Sequence, residues 1–236
     1  GTCGLFYLFE KGKNPGVHDF SDTIWWWFVT SATVGYGDLV PVTTEGRIVA
    51  IVAIVTGFFI FANLVAITAE SVHAILEKKS KGMAQITCEN HVVICEYTAI
   101  ADEIIQSMPK FPQLRDKKVV IVTDLVLTNP YPQHEFVCGV PINPAVLKRA
   151  NVQKADVIFI FANLRFADPD IKTMHVASRV IDIAPQARIL VEMINPSHDL
   201  LAHMPPTVIP MDSRMLMETI IRDRRISAEV WEKIWK

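Results

Sequence analysis

Four cysteines, at positions 3, 88, 95 and 138, are the only thiols in this 236-residue sequence, and none falls in a CxxC pair or a metal-ligand spacing. A disulfide framework and a structural zinc centre are therefore not expected, and the last three read as reduced core thiols. Neither sign of charge dominates. The 23 Lys and Arg against 25 Asp and Glu leave a formal charge of −2, which calls for no nucleic-acid partner. No signal-peptide pattern is visible. No nucleophile stands beside a base, and His91, His134, His175, His198 and His203 lack ligand spacing, so no enzyme is expected.

What is present is unevenly distributed. Mean hydropathy is positive, but the apolar surplus lies in the first third, and charges dominate after Glu77. Ile48 to Thr68 has only Thr56, Gly57, Asn63 and Thr68 outside the strongly apolar or small set. As a helix it covers roughly 30 Å, one bilayer core. Lys78, Lys79 and Lys81 follow it, so its C-terminal end is expected to be cytoplasmic. Gly57 in mid-span is either a close-packing site or a bending point. Asn63 is either a polar contact between helices or a pore-lining group. Before this span only Leu5 to Phe9 is strongly apolar, ahead of a charged Glu10 to Gly16 stretch.

Between these segments lies Thr33-Val34-Gly35-Tyr36-Gly37-Asp38. Read as a turn, it would simply reverse the chain. Its context favours another reading. Asp19-Phe20-Ser21-Asp22 offers helix-capping residues, and Thr23 to Ala32 is an apolar, aromatic stretch of roughly 15 Å as a helix, half a hydrocarbon core. Non-helical backbone at membrane depth survives only where protein buries it or it lines a watery cavity, so a re-entrant helix followed by this loop fits a pore. Gly35 and Gly37 permit left-handed backbone that turns successive carbonyls the same way. The TVGYG run resembles the potassium-channel selectivity filter. That implies K+ bound by the carbonyls of Thr33, Val34, Gly35 and Tyr36, and a homotetramer around one pore.

Lys78 to Asn90 reads as a linker, and residues 91–236 as a second domain after a pore domain at 1–77. Strand patterns at His91–Cys95, Lys118–Thr123, Glu135–Cys138, Val157–Phe161, Ala187–Glu192 and Val208–Met211 alternate with helical ones. The helices are expected around Ile100–Met108, at Pro144–Ala150, Asp170–Ile183 and Pro196–His203, and from Ser213 onward. This alternation predicts an α/β, Rossmann-like, parallel doubly wound sheet, with its ligand crevice at the C-terminal strand ends.

Together the two halves resemble a prokaryotic, calcium-gated potassium channel: a membrane α-helical pore joined to a regulator-of-potassium-conductance (RCK) domain. The resemblance runs over about residues 19 to 225. It implies a multi-pass protein of the inner (plasma) membrane, in contact with membrane lipid, whose RCK domains form a cytoplasmic ring. It also implies that the sequence begins near the outer end of an outer helix whose rest is missing, and it leaves open whether a further C-terminal subdomain or second RCK unit follows. By position, Thr33, Val34, Gly35, Tyr36 and Gly37 form the filter, and Asp38 lies behind its mouth. Trp25 and Trp26 would be its cuff, near Asp38 and the Tyr36 hydroxyl respectively, and Gly57 would be the gating hinge. Val29 stands where some relatives carry a glutamate that pairs with the filter aspartate.

The regulatory ligand is expected to be Ca2+ or an adenine nucleotide, with Glu96, Asp124, Asp168, Asp170 and Glu192 as candidates. At the turn after the first strand, the G-x-G-x-x-G positions of a nucleotide-binding fold read Glu96, Thr98 and Ala101, and a carboxylate there repels phosphate. Asp124 is either a ribose-binding acid or a turn former. The calcium site of the resemblance would fall on Val140, Glu192 and Ile194, of which only Glu192 keeps a carboxylate. Phe161-Ala162-Asn163 and Ala167-Asp168-Pro169-Asp170 are similar to a divalent-ion-sensing stretch of large-conductance calcium-activated channels, although Asp168 also suits a helix cap. Three functions follow: a ligand-gated potassium channel, a channel with a purely structural ring, or a membrane-tethered nucleotide-dependent enzyme.

Overall fold

Asp19 opens a helix by accepting the Ser21 amide at 2.7 Å, while Asp22 accepts the amides of His18 at 2.8 Å and Asp19 at 3.0 Å. These bonds satisfy donors that a helix start leaves unpaired. In the computed structural model, which describes residues 1–195, 199–223 and 232, this cap opens α2 (Phe20–Ser31). It follows α1 (Thr2–Glu10) and precedes α3 (Thr44–Ser80). The chain divides into two compact units, 1–75 and 76–236.

In the first unit Phe6, Val17, Trp26, Leu39, Val49, Ala50 and Ala53 form one small core. Only Gly46, Val49, Ala50, Ala53 and Gly57 of α3 are buried, and large apolar residues such as Phe58 and Phe59 are about 60% exposed in the single chain. A helix so apolar and so bare needs lipid or other subunits around it. Among the described residues it is the one helix long and apolar enough to cross a membrane. It outruns the expected span because Lys78 and Lys79 suit a helix C-terminus, while Lys81 pairs back to Glu77 at 2.6 Å.

The second unit is a six-stranded sheet in the order β3-β2-β1-β4-β5-β6, every pairing parallel. The strands are β1 (His91–Cys95), β2 (Val119–Thr123), β3 (Glu135–Cys138), β4 (Ala155–Ile160), β5 (Arg188–Met193) and β6 (Val208–Asp212). Pro210, which cannot donate to a ladder, lies in the edge strand β6. Helices α5 (Pro144–Arg149) and α6 (Pro169–Ile183) cover one face through Leu147, Met174 and Val180. On the other face, α4 (Ala99–Ser107) and α7 (Ser213–Asp223) pack through Ile104, Ile105 and Leu216. The fold is the doubly wound one expected, with β1 and β3 as read from the sequence and the other strand ends within two residues of that reading. The helix expected at Pro196–His203 is a short turn of 3-10 helix at Asp199–His203, with 196–198, including His198, outside the described residues. The helix expected from Ser213 onward is described as far as Asp223, and residues 224–231 also lie outside the described ones.

The segment expected as a linker is stitched to the second unit. The Ile86 amide donates to the Arg149 carbonyl at 3.0 Å, the Ile86 side chain joins the core, and the Gly82 carbonyl accepts the Cys138 amide at 3.1 Å. Gly82 has φ +63°, and a Cβ there would overlap the Cys138 amide nitrogen. Gly82→Ala should therefore destabilise the second unit by about 1–3 kcal/mol, read as an earlier denaturant midpoint. An unchanged midpoint would show that this close approach is not needed.

Candidate functional site

The loop after α2 has alternating backbone handedness. Thr33, Gly35 and Gly37 have φ of +58°, +57° and +77°, while Val34 and Tyr36 between them are not left-handed. Glycine tolerates this at two of the three positions, and Thr33 carries the conformational cost. The helix end holds the loop: the Val29 carbonyl accepts the amides of Val34 at 3.0 Å and Gly35 at 3.3 Å. Trp25 Nε1 donates to Asp38 Oδ2 at 2.8 Å, and the Trp25 ring stacks on Tyr36 at 6.0 Å. Asp38 thus has a partner although Val29 supplies none. Trp26 departs from expectation. Within the chain it is buried and stacks on Phe6 at 3.6 Å, so Trp25 rather than Trp26 meets Tyr36. Burial against the core, not a polar tip, sets its place.

Gly57 lies against the end of α2. A Cβ on it would overlap the Ser31 side chain and come within 2.8 Å of the Ser31 Cα, which makes Gly57 a close-packing site in this conformation of α3. Asn63, exposed in the single chain, donates to the Phe59 carbonyl one turn back at 2.7 Å. The sequence reading missed Glu10. Its fully buried carboxylate accepts from Asn14 Nδ2 at 2.7 Å, the Val42 and Thr43 amides at 2.9 Å each, and Thr43 Oγ1 at 2.6 Å. It therefore ties α1 to the segment entering α3. A glutamate ending an apolar stretch, with Asn four residues on, was the available signal.

In the second unit a cleft of about 780 Å³ opens where strand order reverses between β1 and β4. Its walls include Tyr97, Thr98, Asp102, Asn163, Arg165 and Glu192. Crevices at such switch points are the usual ligand sites of doubly wound sheets. Asp102, in the first turn of α4, accepts from the Tyr97 hydroxyl, from Tyr131 Oη at 2.6 Å and from Gln106 Nε2 at 2.7 Å. Burial first, and then the Asp102 carboxylate, pushes both tyrosine hydroxyls up from their ordinary value.

The candidate acids do not converge on one ligand. Glu96 is fully buried with φ +68°, the handedness that a glycine normally supplies at this turn. Its Oε1 pairs with Lys172 Nζ, and its Oε2 accepts from Thr123 Oγ1 at 3.3 Å. Asp124 is exposed in a bend after β2. Asp168 caps α6 by accepting the Ile171 amide at 3.1 Å. Asp170 is buried and accepts the amides of Ile194 at 2.8 Å and Asn195 at 2.8 Å, clamping the end of β5 to α6. Glu192 accepts the Ala162 amide at 2.9 Å and Ser213 Oγ at 2.7 Å. Among the described residues no three His, Cys, Asp or Glu side chains are grouped to hold a metal ion. Nor does the turn suit a pyrophosphate, because Glu96 stands in the first glycine position and Asp102 adds a second carboxylate at the same helix end.

Residues 2–73, nearly the whole first unit, match the family model described as Ion channel. Over 197 residues the chain is 27% identical to a candidate potassium channel protein of Bacillus subtilis (strain 168), YugO, covering 80% of this chain and 57% of the relative. Two solved structures of the GsuK channel share its architecture at 18% identity and TM-score 0.55. The one described as bound to NAD is matched over 88% of this chain and 38% of that one, and the one bound to ADP over 89% and 56%. The chain thus spans a little over half the length of the curated relative. It is similar in sequence to a candidate potassium channel protein and shares the fold of the GsuK channel.

Burial, with a smaller contribution from the Asp170 charge, holds the Glu192 carboxyl above its ordinary value of 4.5, against the opposing bonds from Ser213 and Ala162. The folded protein then keeps a proton that the unfolded chain has released, so stability is fully present below the unfolded pKa and declines as pH rises through the folded one. Glu192→Gln should flatten that decline above pH 4.5, measured by denaturant titration across pH. Equal slopes in the two proteins would assign the decline to other groups.

Proposed function

We propose that the chain is a potassium-selective channel subunit, four copies of which surround one pore in the plasma membrane with the RCK domains assembled as a cytoplasmic ring. The observation that carries this reading is the alternating left-handed backbone at Thr33, Gly35 and Gly37, directly behind a capped helix. Alternation of this kind turns successive carbonyls toward one side, where oxygens from four copies replace the water around a dehydrated K+. Each subunit supplies Thr33, Val34, Gly35 and Tyr36 carbonyls, with Trp25, Asp38 and the Val29 carbonyl bracing the loop from behind. Asn63, on the exposed side of α3, is the proposed pore-lining polar group.

The second unit is the proposed regulator. The GsuK structures described as bound to NAD and to ADP support a ligand acting on such a domain. In this chain the cleft at the β1/β4 switch point is the proposed seat. A ligand there biases the pore only by preferring one arrangement of the ring over another. Gly57 is the proposed flexure of α3, since bending there separates it from Ser31 without breaking a side-chain hydrogen bond.

Gly37→Asp tests the filter. Within the single chain position 37 has open space around it, so there the substitution acts through the left-handed φ of +77° and an added charge at the mouth. The variant should assemble normally and lose selective K+ flux from proteoliposomes to background. Selective flux equal to the wild type would overturn the filter assignment.

A further inference from the structure

The turn between β1 and α4 contains a mismatch that the channel reading does not use. A dinucleotide-binding fold keeps this turn open with glycines so that pyrophosphate reaches the helix N-terminus. Here the first of those positions keeps the backbone and loses the space. Glu96 adopts φ +68°, and its side chain is 1% exposed. Its amide still donates to the Val122 carbonyl at 2.9 Å, so the strand geometry is undisturbed.

The buried carboxylate is neutralised from the neighbouring layer. Lys172 of α6 is 8% exposed, pairs with Glu96 Oε1, and lies 4.1 Å from the centre of the Phe166 ring. A buried carboxylate on its own would be costly, and so would a buried ammonium; each is tolerable because the other is present. The N-cap Thr98 Oγ1 accepts the Ala101 amide at 3.3 Å, and Asp102 follows in the first turn. The electropositive end of α4 is thus already answered by the protein's own acceptors.

We infer that the Glu96–Lys172 ion pair fills the seat that this fold gives to pyrophosphate, so that the cleft refuses dinucleotides and nucleoside di- and triphosphates. Lys172 is then a latent phosphate-binding cation, and removal of the Glu96 carboxylate exposes it. Glycine at position 96 suits the existing φ, opens the turn, and leaves the ammonium as a donor for an incoming phosphate. Regulation through the wild-type cleft accordingly belongs to ligands that place no phosphate at the α4 terminus. The inference concerns the second domain alone and stands whether or not the pore conducts potassium.

Calorimetric titration of the full chain in detergent with NAD and with ADP decides it. The wild type should show no saturable binding up to about 1 mM of either. Glu96→Gly should bind ADP about tenfold to a hundredfold more tightly than the wild type, the worth of one charge-assisted hydrogen bond. Adding Lys172→Gln to that variant should abolish the gain. If Glu96→Gly does not fold, Glu96→Ser, which removes the charge and clears most of the side chain from the turn, must still show a gain. Micromolar binding of NAD or ADP by the wild type, or a folded Glu96 variant that gains nothing, would overturn the inference. Neither result touches the flux measurement with Gly37→Asp, so the two readings fail separately.

Discussion

A loop that strips water from a cation has to turn its carbonyls to the ion, and it therefore cannot spend them on a hydrogen-bonded ladder of its own. On the proposed reading of residues 33–37 as such a loop, the packing around them answers that constraint. The amides of Val34 and Gly35 are taken up by the last turn of α2 through the Val29 carbonyl. The loop's exit is held by Trp25 on Asp38, and α3 comes close enough to support Ser31 only because residue 57 lacks a side chain. Glu10 completes the frame by collecting four donors from three residues, two of them at the approach to α3. Removing such a buried acceptor leaves several donors unpaired, which makes this carboxylate as much a part of the frame as the aromatic residues.

The second domain meets a different constraint with related means. A parallel sheet whose order reverses between β1 and β4 necessarily leaves a crevice at the strand ends, and the residues in the first turns decide what enters. Here those residues are carboxylates, each already engaged: Glu96 by Lys172 and Thr123, Asp102 by two tyrosines and Gln106, Glu192 by Ser213 and the Ala162 amide. The fold's ligand position is retained, while the chemistry at its floor differs from that of a nucleotide turn.

Much of this was legible in the sequence where the signal is local. Strand runs such as His91–Cys95 and Glu135–Cys138 are fixed by apolar periodicity, and the Asp19 cap by residue type at the right spacing. Contacts between residues distant in the chain were not legible. Glu96 meets Lys172 across 76 positions and Glu10 meets Thr43 across 33, and no periodicity encodes either pair. For the same reason Asp170 looked like a candidate ligand and is a clamp on the end of β5, and Trp26 looked like a partner of Tyr36 and packs on Phe6. Spacing shows where a carboxylate or an indole lies along an element; only the packed structure shows what occupies its polar atoms.

The central claim is that four copies of the Thr33–Gly37 backbone select potassium. The most direct measurement is the reversal potential of single-channel current from the purified full chain in a planar bilayer, with K+ on one side and Na+ on the other. The account predicts a reversal potential far toward the side that K+ selectivity demands, with no measurable inward Na+ current. A reversal near zero, with Na+ carrying current as readily as K+, would contradict it.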